Sequence, residues 1–99
     1  MLEDKKAYME KFGVEFESEL SEILTLALSK HSKYGPKPII KSKGFGILLR
    51  QEEKIERLKN IYEDGEFKTE ESVEEDLRDI AVYSILAIMY RRGFFECAV

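Results

Sequence analysis

Cysteine is nearly missing from this 99-residue chain: Cys97 stands alone. One thiol excludes a disulfide framework and a cysteine-rich zinc site within one copy. Proline occurs twice, at Pro36 and Pro38, and histidine once, at His31. The helix-forming stretches on either side of the prolines are therefore uninterrupted by them. The longest uncharged apolar run, Ile80 to Tyr90, has 11 residues, too few to span a bilayer. The start, MLEDKKAYMEK, is charged and has no apolar signal core. A cytoplasmic protein with no membrane partner is the expectation. No stretch alternates with period 2, so no sheet is expected. There is no Walker loop, no zinc-ligand spacing and no Ser-His-Asp arrangement.

Charge of one sign is also missing locally. Between Ile23 and Gln51 no acidic residue occurs, yet the stretch holds Lys30, Lys33, Lys37, Lys41, Lys43 and Arg50. The whole chain has a net charge of -4, which argues against general nucleic-acid binding. A basic loop between acidic helices suits a ligand that carries phosphate and brings a metal. Solvated loop lysines are the plainer alternative.

What is present is helical periodicity within a single domain, residues 1–99. With 36% charged and 43% apolar residues the chain reads as globular. Phe16, Leu20, Ile23, Leu24, Ala27 and His31 recur at helical steps, predicting a helix over about 14–33 that Gly35-Pro36 stops. A short separate helix is expected over 2–12, and a loop over 34–46. A second main helix spans about 46–62, with Leu48, Ile55, Leu58, Ile61 and Tyr62 as its main stripe. After a turn at Gly65, a third runs from Thr69 or Ser72 to Arg92, and Ser72 with Glu75 fits a capping box. The fold class is all-α, a small antiparallel bundle. The segment from Ile80 to Tyr90 is apolar all round, which calls for cover on every side and thus for a homo-oligomer.

Two acidic clusters carry the chemistry. Glu53 and Glu56 are neighbours on the second helix, Asp76 and Asp79 on the third. Carboxylates gathered at close range repel one another, and Mg²⁺ would remove that cost and act on phosphate oxygens. Solvated glutamates and an ordinary capping acid are the plainer explanation. The metal reading expects Asp79→Asn to leave the metal-free protein unharmed or more stable. Pairing of Asp79 with Arg78, Arg91 or a lysine predicts a loss of stability or no change, indifferent to Mg²⁺.

The order Glu52-Glu53-x-x-Glu56, then Asp76-x-x-Asp79, resembles the MazG-like all-α NTP pyrophosphohydrolases, with Asp76 where that family has Glu. A closer resemblance is to the phage-associated family called nucleotide modification associated domain 1. Its features match Lys33-Tyr34-Gly35, Gly46-Ile47-Leu48-Leu49-Arg50, Glu53-Lys54-x-x-Arg57-Leu58, Glu71-Ser72, and Glu75, Asp79 and Ala81-x-Tyr83. The resemblance implies an Mg²⁺-dependent nucleotide-phosphate site. Glu53, Glu56, Asp76 and Asp79 would form the metal shell, with Glu53 and Glu56 as catalytic groups. Lys33, Tyr34, Arg50, Lys54, Arg57 and Tyr83 would contact the nucleotide. Two functions stay open: hydrolysis of a nucleoside triphosphate to monophosphate and pyrophosphate, or a non-catalytic nucleotide-binding or protein-interaction module of viral origin. His31, on an apolar face near a helix end, reads as a packed or capping residue.

Overall fold

A computed structural model of the chain describes residues 2–68 and 72–98. Helix α1 covers Leu2–Tyr34 without a break. The expected boundary between a short first helix and a longer second one does not exist. Gly13 sits inside α1, and a mid-helix glycine costs only about 1 kcal/mol relative to alanine. The helix ends at Gly35, whose φ of 69° is a left-handed turn and whose N–H donates to the His31 carbonyl at 2.8 Å.

The proline-containing segment is not all loop. Helix α2, Lys37–Lys41, makes one turn there with Pro38 in its first turn, where a missing N–H costs nothing. Lys43 and Gly44 then adopt positive φ in succession and turn the chain into α3, Phe45–Asn60. Gly44 is required for a second reason. A Cβ there would lie 2.9 Å from Cδ1 of the Tyr90 ring.

After α3 the chain forms a two-strand antiparallel hairpin, β1 Tyr62–Glu63 with β2 Glu66–Phe67, so the expectation of no sheet is corrected. Asp64 and Gly65, both at positive φ, supply the two-residue turn. Such Asp-Gly turns close hairpins whether or not the flanking residues alternate. Helix α4, Val73–Arg91, runs back against α3. A 3-10 turn, Phe94–Ala98, follows it. Thr69, one of the two suggested starts of this helix, lies outside the described residues. The capping box does not form: Ser72 has a left-handed φ of 66° and makes no side-chain cap bond. Its hydroxyl accepts instead from Arg57 Nη2 at 2.6 Å.

The core is small. Ile47 and Leu58 of α3 and Val73 and Val82 of α4 are buried, with Phe95 of the terminal turn against the His31 ring at 5.9 Å. Gln51 fastens α3 to α4 by donating to the Ile80 carbonyl at 2.9 Å and to Ser84 Oγ at 2.7 Å. Arg78 fastens α4 to α1 with paired bonds of 2.9 Å to both carboxylate oxygens of Glu19. That hydrogen bond holds the Glu19 carboxyl below its ordinary range, and the same bond raises the Arg78 guanidinium. Within one chain, only Val82 of the apolar segment from Ile80 to Tyr90 is fully buried, while Ile85 and Ile88 remain exposed. No helix among the described residues is long and apolar enough to cross a membrane.

Candidate functional site

The C-terminal end of α1, the α2 turn, the start of α3 and the middle of α4 enclose a cleft of about 500 Å³. That volume lies within the usual range for small-ligand sites. Spacing along α1 explains its contribution. Ala27, Lys30, His31 and Tyr34 fall at helical steps and share one face, so all four line the cleft. Arg50 reaches it from α3, and Tyr83 from α4. Gly46 and Ser42 line it between α2 and α3, where Ser42 Oγ donates to the Ile39 carbonyl at 3.3 Å. No aspartate or glutamate is among the lining residues, in a chain with 20 acidic side chains. Such a lining favours an anion, and the tyrosine rings offer flat apolar faces to a planar group.

Below the cleft lies a charged network. Asp79 is only 2% exposed and accepts from Lys30 Nζ at 2.6 Å and Lys54 Nζ at 3.0 Å. Asp76, 3% exposed, has Lys54 Nζ at 3.4 Å and Arg57 Nε at 3.4 Å. Two buried carboxylates are thus matched by three cations. Burial opposes the Lys54 charge, but bonds and attraction from Asp79 and then Asp76 outweigh it, so its pKa lies above the ordinary value. Oδ2 of Asp76 is buried and has no hydrogen-bond donor, though Arg57 stands beside it.

The four expected metal ligands therefore divide. Asp76 and Asp79 come together as their spacing implies, but face cations. Glu53 and Glu56 are exposed and pair within α3, Glu53 with Arg50 at 3.6 Å and Glu56 with Lys59 at 3.5 Å. Among the described residues, no three His, Cys, Asp or Glu side chains come together as a group able to hold a metal ion. The expected nucleotide contacts also divide. Tyr34, Arg50 and Tyr83 line the cleft, whereas Lys54 and Arg57 serve the aspartates. Lys33 lies outside the lining, with its ammonium 5.5 Å from the centre of the Tyr34 ring.

Sequence reasoning missed Lys30 as a site residue and set His31 aside as packing. Lys30 does two things at once: it lines the cleft and neutralises Asp79. The available signal was its position one helical turn before Tyr34, within the acid-free stretch.

Comparison with known proteins bears on part of this region. The family model described as nucleotide modification associated domain 1 matches residues 51–90, which cover most of α3, the hairpin and most of α4. The match includes Lys54, Arg57, Asp76, Asp79 and Tyr83, and stops short of α1 and α2. No curated protein and no solved structure matches the chain.

Proposed function

We propose that the cleft binds the phosphate of a nucleotide, with Lys30 and Arg50 facing the phosphate and Tyr34 or Tyr83 packing against the base. The observation that carries this reading is the composition of the lining: two cations and two tyrosines, with no carboxylate. The name of the family that matches residues 51–90 is consistent with it. A likeness to the MazG-like pyrophosphohydrolases, and a viral origin, remain part of the proposal and rest on the motif spacing.

Hydrolysis requires more than this cleft. An Mg²⁺ shell of Glu53, Glu56, Asp76 and Asp79 does not fit the arrangement as it stands. An ion would have to displace Lys30 and Lys54 from the aspartates and draw Glu53 and Glu56 away from Arg50 and Lys59. Binding therefore stands ahead of turnover.

The test is calorimetric titration with nucleoside mono-, di- and triphosphates, with Mg²⁺ and with EDTA, while pyrophosphate is monitored in parallel. Binding should survive EDTA. Arg50→Ala should weaken it about tenfold, the equivalent of one charge-assisted hydrogen bond. Tyr34→Ala should discriminate between bases. Binding to none of these ligands, or unchanged affinity in Arg50→Ala, would move the ligand elsewhere. Pyrophosphate release dependent on Mg²⁺ would replace sequestration by catalysis.

A further inference from the structure

Every described side chain of α1 from Asp4 to Glu22 is exposed. Apart from the Glu19–Arg78 pair, that part of the helix stands clear of the bundle, and a helical arm depends on packing for most of its stability. Yet it is not a polar arm. Tyr8, Phe12, Phe16 and Leu20 repeat every four residues along it, each about half exposed or more. Tyr8 and Phe12 have ring centres 6.2 Å apart, and Phe12 and Phe16 5.7 Å. A continuous aromatic ridge thus faces solvent.

The surface area makes the same point. The chain exposes 8297 Å². A folded monomer of this mass exposes roughly 5,800 Å², leaving an excess of roughly 2,500 Å². Its radius of gyration is 16.7 Å, against about 13 Å for a folded domain of this length. A stable homodimer needs only about 1,000 Å² from each chain, so the excess is ample.

We infer that the projecting half of α1 pairs with the same segment of a second copy of this chain, antiparallel, across the ridge from Tyr8 to Leu20. The excess surface matches what a dimer needs, and charge sets the direction. Lys5, Lys6 and Lys11, with Asp4 and Glu10 among them, leave the start of the arm close to neutral, while Glu15, Glu17, Glu19 and Glu22 follow with no base among them, Glu19 alone being paired among the described residues. Antiparallel pairing turns each lysine-bearing end towards the glutamates of the other copy, whereas parallel pairing would set the two glutamate-rich halves against each other. At the shallow crossing of about +20°, where ridges repeating every four residues fill grooves of the other set, the two arms stay side by side over this length. Contact then centres between Phe12 and Phe16 and does not need a long coiled coil. The exposed outer face of α4, with Ile85 and Ile88, has no charge pattern of this kind and does not select a partner.

Sedimentation and light scattering of the full chain at micromolar concentration test this. The wild type should be a dimer. Phe12→Glu should raise the dimer dissociation constant about 100-fold or more, because the substitution enters the interface twice. Circular dichroism should show its bundle still folded, since Phe12 is half exposed and its ring lies beside Tyr8 and Phe16 of the same arm. A variant with Lys5, Lys6 and Lys11 changed to Glu should dimerise poorly alone. So should one with Glu15, Glu17 and Glu22 changed to Lys. An equimolar mixture of the two should recover the dimer. A monomeric wild type, a Phe12→Glu protein that dimerises as before, or a mixture no better than its components would each overturn the inference.

Discussion

Replacing Asp79 by asparagine removes one charge from the middle of the buried network and changes the shape of the side chain very little. Asp79 is 2% exposed and accepts bonds of 2.6 Å from Lys30 and 3.0 Å from Lys54. Breaking a buried ion pair by removing one partner costs about 3–5 kcal/mol. Here the cost is smaller, because the Lys30 and Lys54 side chains keep 34% and 25% of their exposure and can rehydrate. The amide oxygen also retains one acceptor. Asp79→Asn should therefore destabilise the protein by about 2–3 kcal/mol. For a domain of this length that is a fall of about 10–20 °C in Tm. Thermal and urea denaturation in EDTA measure it. A double-mutant cycle with Lys54→Met should give a coupling of about 1–2 kcal/mol. The sign is the opposite of what a cluster of mutually repelling carboxylates predicts. An Asp79→Asn protein that melts at or above the wild-type temperature would refute the ion-pair reasoning.

Gly44→Ala combines a left-handed φ of 82° with a Cβ 2.9 Å from the Tyr90 ring, and should cost about 2–3 kcal/mol in urea denaturation. Glu53→Gln and Glu56→Gln, both at exposed pairs, should shift stability by less than about 0.5 kcal/mol; a larger loss would show a role for them within the single chain. Because the pKa of Lys54 is raised above its ordinary 10.5 in the folded protein, its stabilisation is complete below that pH and is lost as pH rises through the folded value. Melting temperature should fall at strongly alkaline pH, and Lys54→Met should flatten that fall. Lys33→Ala should weaken nucleotide affinity less than Arg50→Ala in the same titration, since Lys33 lies beside the Tyr34 ring and outside the cleft lining.

The helices were legible because their apolar residues repeat at helical steps and because left-handed glycines, Gly35 after α1 and Gly93 after α4, close two of them. Less legible was the continuity of α1: Gly13 invites a break, and a local penalty cannot show whether the helix runs on. The hairpin carried an Asp-Gly turn signal that outweighed the absence of alternation in two-residue strands. The pairing of Asp76 with Asp79 followed from helix geometry. Their neutralisation did not, because Lys30 and Asp79 are 49 residues apart and the register of α1 on α4 is set by packing. Tyr34, Arg50 and Tyr83 were found through motif order. Lys54 and Arg57 belonged to the same motifs, yet the nearest anions to them in space are the chain's own.

Lys30 is one ammonium with two claims on it. An anion held in the cleft would compete with Asp79 for its protons, leaving Asp79 to lean on Lys54. Occupancy of the cleft and the hold of α1 on α4 would then be thermodynamically linked, each gaining at the expense of the other. On that linkage Asp79→Asn, the less stable protein, would be the tighter binder of phosphate, since its Lys30 is already released. A chain that keeps Asp79 trades some affinity for a fold that stands without its ligand.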